Sequence, residues 1–152
     1  MSLIIVESTV VAYAGRKRLA AWKRGQLQRM AEVFVREHDE LRETDGAVYS
    51  ATAVQALAYA RAAGAHVAVY TPQHEAGARR FFMYQGIPLV QEPWSQLVER
   101  NPGAAYLTTV LLKRSAPLDV HSRFSAIRLT HLGLTPLHVA QALDLLNIRR
   151  PA

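Results

Sequence analysis

Six histidines, at 38, 66, 74, 121, 131 and 138, are the side chains best suited to metal or proton chemistry, but no two have HExxH spacing or sit among acids in a ligand pattern. No metal site is expected. The chain has no Cys, which excludes thiolate nucleophiles, disulfides and Cys-ligated zinc. The strongest charge feature is Arg16, Lys17, Arg18, Lys23, Arg24 and Arg29, opposed only by Glu7 in the first thirty residues. Such a patch attracts polyanions, so nucleic acid or an acidic partner is a candidate ligand, and a solvated hairpin loop is the plainer account of the same residues. The opposite sign gathers at 37–45, where Glu37, Asp39, Glu40, Glu43 and Asp45 meet only Arg42. That block runs through the loop HDELRETDGAVYSA into a helical pattern. Free backbone amides ahead of a helix N-terminus bind pyrophosphate, because they converge on it and the helix dipole favours negative charge. Only Gly46 in the loop lacks a Cβ, and a carboxylate ~4 Å from a phosphate oxygen repels it by about 1 kcal/mol even in water.

The elements that must position these residues follow from pattern. LIIVE at 3–7 is an apolar strand, and TVVAYAGRKR at 9–18 reads as a second strand beside it. A turn around 19–25 and a strand at about 27–36 follow, since Gly15 and Gly25 each cost a competing long helix roughly 1 kcal/mol. SATAVQALAYARAAG at 50–64 reads as a helix capped by Ser50 and closed by Gly64. The strand HVAVYT comes next, then a helix opened by Glu75 and closed by Gly86, with Phe81, Phe82 and Tyr84 expected in the core. After IPLVQEPW a polar stretch ends in a turn at Asn101, Pro102 and Gly103, followed by the strand AAYLTTVLLKR. RFSAIRLTHL then alternates as a strand, and Thr135 and Pro136 cap a last helix in TPLHVAQALDLLNI. With 152 residues, half of them apolar, one globular domain is expected. The apolar runs fall far below the roughly 20 residues of a membrane span, and the start lacks a leader pattern, so a soluble, cytoplasmic protein with no membrane contact is expected.

HVAVYTPQHEAGARRFFMYQGIPLVQEPW followed by GAAYLTTVLLKR resembles the C-terminal half of the GCN5-related N-acetyltransferases. Val67, Val69 and Thr71 fill that family's strand positions, and Ala78, Phe82, Gly86 and Ile87 keep its helix spacing. Glu75 stands where Asn is usual, and Phe82, which cannot donate a proton, where Tyr is usual. LIIVES-TVVAYAG looks like the family's second and third strands, QLQRMAEVFVRE like the fourth, and SATAVQALAYARAAGA like the helix behind the pyrophosphate loop, so the resemblance spans about residues 2–114. The tail SAIRLTHLGLTPLHVAQALDLLNI looks like the family's opening strand and helix placed last. That implies a circular permutant, or a protomer lending its tail to a neighbour in a homodimer.

The resemblance implies an α/β domain with a mixed central sheet flanked by helices, of acyl-CoA N-acyltransferase type, moving an acetyl group from acetyl-CoA to an amine. Glu32 on the fourth strand is the first candidate base, His38 the second, and Tyr84, two positions beyond the expected acid, the remaining proton donor. Acetyl-CoA would lie against Val35, Arg42, Gly46, Ala47, Val48, Ser50, Glu75, Ala78 and Phe82. The basic patch would hold the acceptor or nucleic acid. A catalytically degraded member of that fold, acting as a nucleic-acid-binding or assembly subunit, is the alternative. MSLIIVES also resembles the opening of PIN nucleases, and AVYSATAVQALAYARAAGA their last helix, but the acidic quartet is missing. LIIVES and VAVYTPQHEAG echo Toprim domains, whose paired carboxylates would here be Thr71, Pro72 and Gln73.

Overall fold

Ile4, Ile5 and Val6 have no exposed surface, as a strand covered on both faces requires. In the computed structural model, which describes residues 2–14, 41–44, 47–71, 76–90, 92–109, 125–129 and 131–147, this run is β1, Leu3–Glu7. A 3-10 turn at Ser8–Val10 leads to β2, Ala12–Ala14; β3 is Leu41–Thr44 and β4 Ala47–Ser50. Then come α1 (Ala51–Ala62), β5 (His66–Tyr70), α2 (Ala76–Tyr84), β6 (Leu89–Val90), α3 (Trp94–Arg100), β7 (Ala105–Thr108), β8 (Ser125–Arg128) and α4 (Pro136–Leu145).

The protein is α/β. Its main sheet has five parallel strands in the order β6-β5-β1-β7-β8. The antiparallel pairings lie apart, in a three-stranded sheet ordered β2-β4-β3. The expected single mixed sheet is therefore two sheets, and β1 and β2 belong to different ones. The 3-10 turn separates them: Val11 donates its N–H to the Ser8 carbonyl at 3.0 Å, turning the chain out of the main sheet after Glu7.

Strand order also fixes the layers. From β1 to β5 to β6 the chain steps one way, so right-handed crossovers put α1 and α2 on the same face. From β6 it jumps back across β1 to β7, and α3 lands on the other face. The packing agrees: Ile4, Val6, Val67, Val69, Ala105 and Leu107 meet α1, α2 and α4, whereas Ile5 and Tyr106 meet Leu97 and Val98 of α3. Small side chains at Ala53, Ala56 and Ala60 let α1 lie close to α4, whose Val139, Ala142 and Leu143 face the same core. In the tail, β8 pairs with β7 and α4 packs on α1.

The helix ends follow the expected chemistry. Ser50 Oγ accepts the Ala53 N–H at 3.2 Å, and Gly64 and Gly86, with φ of +93° and +70°, follow α1 and α2. Thr135 and Pro136 start α4 in a capping box whose third helical position is His138, with Nδ1 accepting the Thr135 N–H at 3.2 Å. The proposed strand at 27–36 lies outside the described residues.

Tyr106 is fully buried and donates its hydroxyl to the Asn101 carbonyl at 2.8 Å. Burial pushes its phenol up to about 12, above the ordinary value of 10.0. The folded state therefore keeps a proton that the unfolded chain releases, so this contribution is complete below pH 10 and is lost as pH rises toward 12. Tyr106→Phe should cost about 1 kcal/mol at neutral pH for the lost hydrogen bond. It should also flatten the fall of the urea midpoint across that alkaline window relative to wild type.

Candidate functional site

Nine polar or charged residues are buried among the described residues: Glu7, Ser8, Thr9, Ser50, Thr52, Thr71, Thr108, Thr109 and Thr135. Each lies at the carboxyl end of a strand, just beyond one, or at a helix N-terminus. The amino edge of the main sheet has none of them. Open α/β sheets bind ligands outside the carboxyl ends of their strands, at the point where strand order reverses. Here that point lies between β1 and β7, and it is where Glu7, Thr108 and Thr109 stand.

Glu7 is the one charged residue of the nine and only 2 % exposed. Its Oε1 accepts the hydroxyls of Thr9 at 3.1 Å and Thr109 at 2.9 Å. Oε2 accepts the Thr109 backbone N–H at 2.7 Å and shares the Thr109 hydroxyl at 2.8 Å. The carboxylate thereby ties the end of β1 to the end of β7. Leu132, at φ 57°, donates its N–H to the Thr9 carbonyl at 2.8 Å, and Leu134 donates to the Val10 carbonyl at 3.3 Å, so the loop before α4 lies against the same turn.

The strand register spreads the polar character sideways. Glu7 pairs with Tyr70, Thr108 pairs with Arg128, and Glu7 and Thr108 stand one step beyond the Val6–Leu107 pair. Alternation puts this row, Tyr70-Glu7-Thr108-Arg128, on the face that Ile5 and Tyr106 share with α3. The Tyr70 phenol is raised by burial and, to a lesser degree, by the charge of its register partner Glu7. The Thr108 hydroxyl is buried with no hydrogen-bond partner.

Most of the expected site residues fall outside the part of the chain that the structure describes. Glu32, Val35, His38, Gly46, Glu75 and the bases Arg16, Lys17, Arg18, Lys23, Arg24 and Arg29 lie outside the described residues. Arg42 is exposed on β3, while Ala47 and Val48 are buried in β4 and pair with β2 and β3. The segment read as a phosphate loop is thus largely a pair of antiparallel strands. The N-terminus of α1 is closed as well, since Ala51, Thr52 and Ala53 are buried and the Ser50 hydroxyl already accepts an amide. Ala78 and Phe82 are core residues, Phe82 making an edge contact with Phe81 at 5.0 Å, and Phe81 in turn meets Tyr49 at 5.0 Å. Tyr84, expected in the core, is 85 % exposed on the outer face of α2.

No family model, curated protein or solved structure matches the chain. The site must therefore be judged on its own chemistry. Among the described residues there is no group of three His, Asp or Glu side chains able to hold a metal ion, and both oxygens of Glu7 already accept hydrogen bonds. That donor set does not suit two-metal phosphoryl transfer, which asks for several converging carboxylates. No described helix is long and apolar enough to cross a membrane.

The sequence did carry a signal for Glu7. An acid ending an apolar strand and followed by Ser-Thr, and a second strand ended by Thr108-Thr109, mark two strand ends that water does not reach unless hydroxyls partner the charge.

Proposed function

We propose that this chain is a nucleic-acid-binding α/β domain that meets its polyanion at the carboxyl edge of the parallel sheet. The observation that carries this is where the basic segment is attached. Residues 15–40 hold seven Lys or Arg against four Asp or Glu, and they are inserted between Ala14 of β2 and Leu41 of β3. Those are the outer strands of the small sheet, which begins just beyond the end of β1 and runs through Ser50 into the N-terminus of α1. Residues 110–124 leave Thr109 at the same edge, with Lys113 and Arg114 four and five positions beyond it, before the chain returns to the start of β8. Basic segments thus follow in sequence from β2, just after β1, and from β7, and β1 and β7 are the two strands that flank the switch point. The segment LIIVES, which invites comparison with nucleases, is the strand that ends there in Glu7, with hydroxyls and an amide on its carboxylate in place of further acids.

Acetyl transfer from acetyl-CoA, within an acyl-CoA N-acyltransferase fold, is the competing proposal. It calls for a pyrophosphate cradle at the N-terminus of α1, where the first turn is buried.

One set of titrations separates the two. A labelled 20-nucleotide single strand, followed by fluorescence anisotropy, should bind with log K falling linearly in log salt, at a slope of about −4 if six phosphates are contacted. Affinity should drop a few hundredfold between about 50 and 200 mM salt. Acetyl-CoA and desulfo-CoA should give no heat by calorimetry at millimolar concentration. Failure to bind single- or double-stranded nucleic acid at low salt would sink the proposal, and micromolar acetyl-CoA binding would put the acyltransferase in its place.

A further inference from the structure

Helix α2 turns Gly77, Ala78, Phe81 and Phe82 inward and leaves Arg79, Arg80, Met83 and Tyr84 exposed. Tyr84 and Met83 are 85 % and 68 % exposed, the two most exposed of the large apolar side chains described. Arg80 lies one helical turn before Tyr84 and so shares its face. A third guanidinium arrives from α1: Arg61 donates to the Gln85 carbonyl at 3.0 Å, at the turn directly after Tyr84. The surrounding chain is almost free of acid, with Glu75 the only carboxylate between residues 46 and 91.

We propose that the outer face of α2 is a contact for a single nucleic-acid strand, with Tyr84 as the ring on which a base stacks and Arg80 meeting a phosphate beside it. The proposal rests on the nucleic-acid reading above and adds a second contact, on a helix well separated in sequence from the basic segment. A planar, solvent-facing ring one turn from Arg80 offers a base face and a phosphate contact together, as sequence-tolerant single-strand sites do. A duplex keeps its base faces stacked inside, so the ring discriminates in favour of unpaired strands. Protein partners are less well served. Among the described residues the apolar part of the face is Met83 and Tyr84, far smaller than the patches that mark protein interfaces.

The test uses the full chain and two probes, a labelled 12-nucleotide oligouridine and a duplex of equal length. Tyr84→Ala should weaken single-strand binding about tenfold with the salt slope unchanged, while Tyr84→Phe, which keeps the ring, stays within about twofold of wild type. Arg80→Ala should make the slope shallower by about 0.7. Duplex affinity should not respond to Tyr84→Ala. If wild type binds the single strand and Tyr84→Ala binds it equally well, the α2 contact is wrong and the nucleic-acid reading stands. If wild type binds neither probe at low salt, both fail. A dimer in solution that Tyr84→Ala dissociates would also overturn the contact, assigning the face to a second copy of the chain.

Discussion

Glu7→Ala is expected to destabilise the protein by about 3 kcal/mol in urea unfolding, a large part of the roughly 5–15 kcal/mol that holds a domain together. The carboxylate accepts from two hydroxyls and one amide in a site that is 2 % exposed. Removing it relieves the cost of burying a charge, but it strands the Thr109 N–H, which cannot turn toward another acceptor as a hydroxyl can. Glu7→Gln should cost only about 1 kcal/mol, because an amide oxygen can still take that N–H and the threonine hydroxyls can rotate to accept from the new NH₂. Thr109→Val keeps the shape and the backbone donor, so Glu7 and Thr109 should show a coupling of about 1 kcal/mol or more in a double-mutant cycle. A Glu7→Ala variant within about 0.5 kcal/mol of wild type would mean that the strand ends are not tied by this carboxylate.

The second large effect concerns binding. Changing Arg16, Lys17, Arg18, Lys23, Arg24 and Arg29 together to Gln should weaken single-strand affinity by about three orders of magnitude near 100 mM salt, through lost counterion release. The salt slope should become much shallower, keeping only the share supplied by Arg80 and the other remaining cations, whereas losing a base-stacking contact would leave it intact. The urea midpoint should stay close to wild type. An unchanged slope would move the phosphate contacts off this segment.

Much of the local structure was legible because its signals are local. Ser50 and Thr135 cap α1 and α4, Gly64 and Gly86 follow α1 and α2, and the apolar runs LIIV and HVAV gave β1 and β5. Pairing was not legible, since nothing in the sequence around Ile4 says that its partners are Val67 and Ala105. The expectation of a single mixed sheet failed for that reason. Helix α3 was missed because it has only seven residues, and Pro93 at its N-cap supplies no side-chain acceptor. Tyr84 was misplaced because aromatic residues usually fill cores, whereas the phase of α2 is set by Ala78, Phe81 and Phe82 and carries Tyr84 outward. Glu7 passed as the end of a strand, because its partners on Thr109 lie 102 residues away.

That separation also bears on synthesis. The central strand β1 leaves the ribosome ahead of the other described strands, and the neighbours that cover its two sides come about 60 and about 100 residues later. At roughly 5–20 residues per second, Leu3–Val6 spends several seconds as an unpaired apolar segment. Its carboxylate likewise has no Thr109 to accept from until β7 has emerged. Among the described strands, β1 is therefore where a nascent-chain chaperone would be most needed, and where slower translation would lengthen the exposure most.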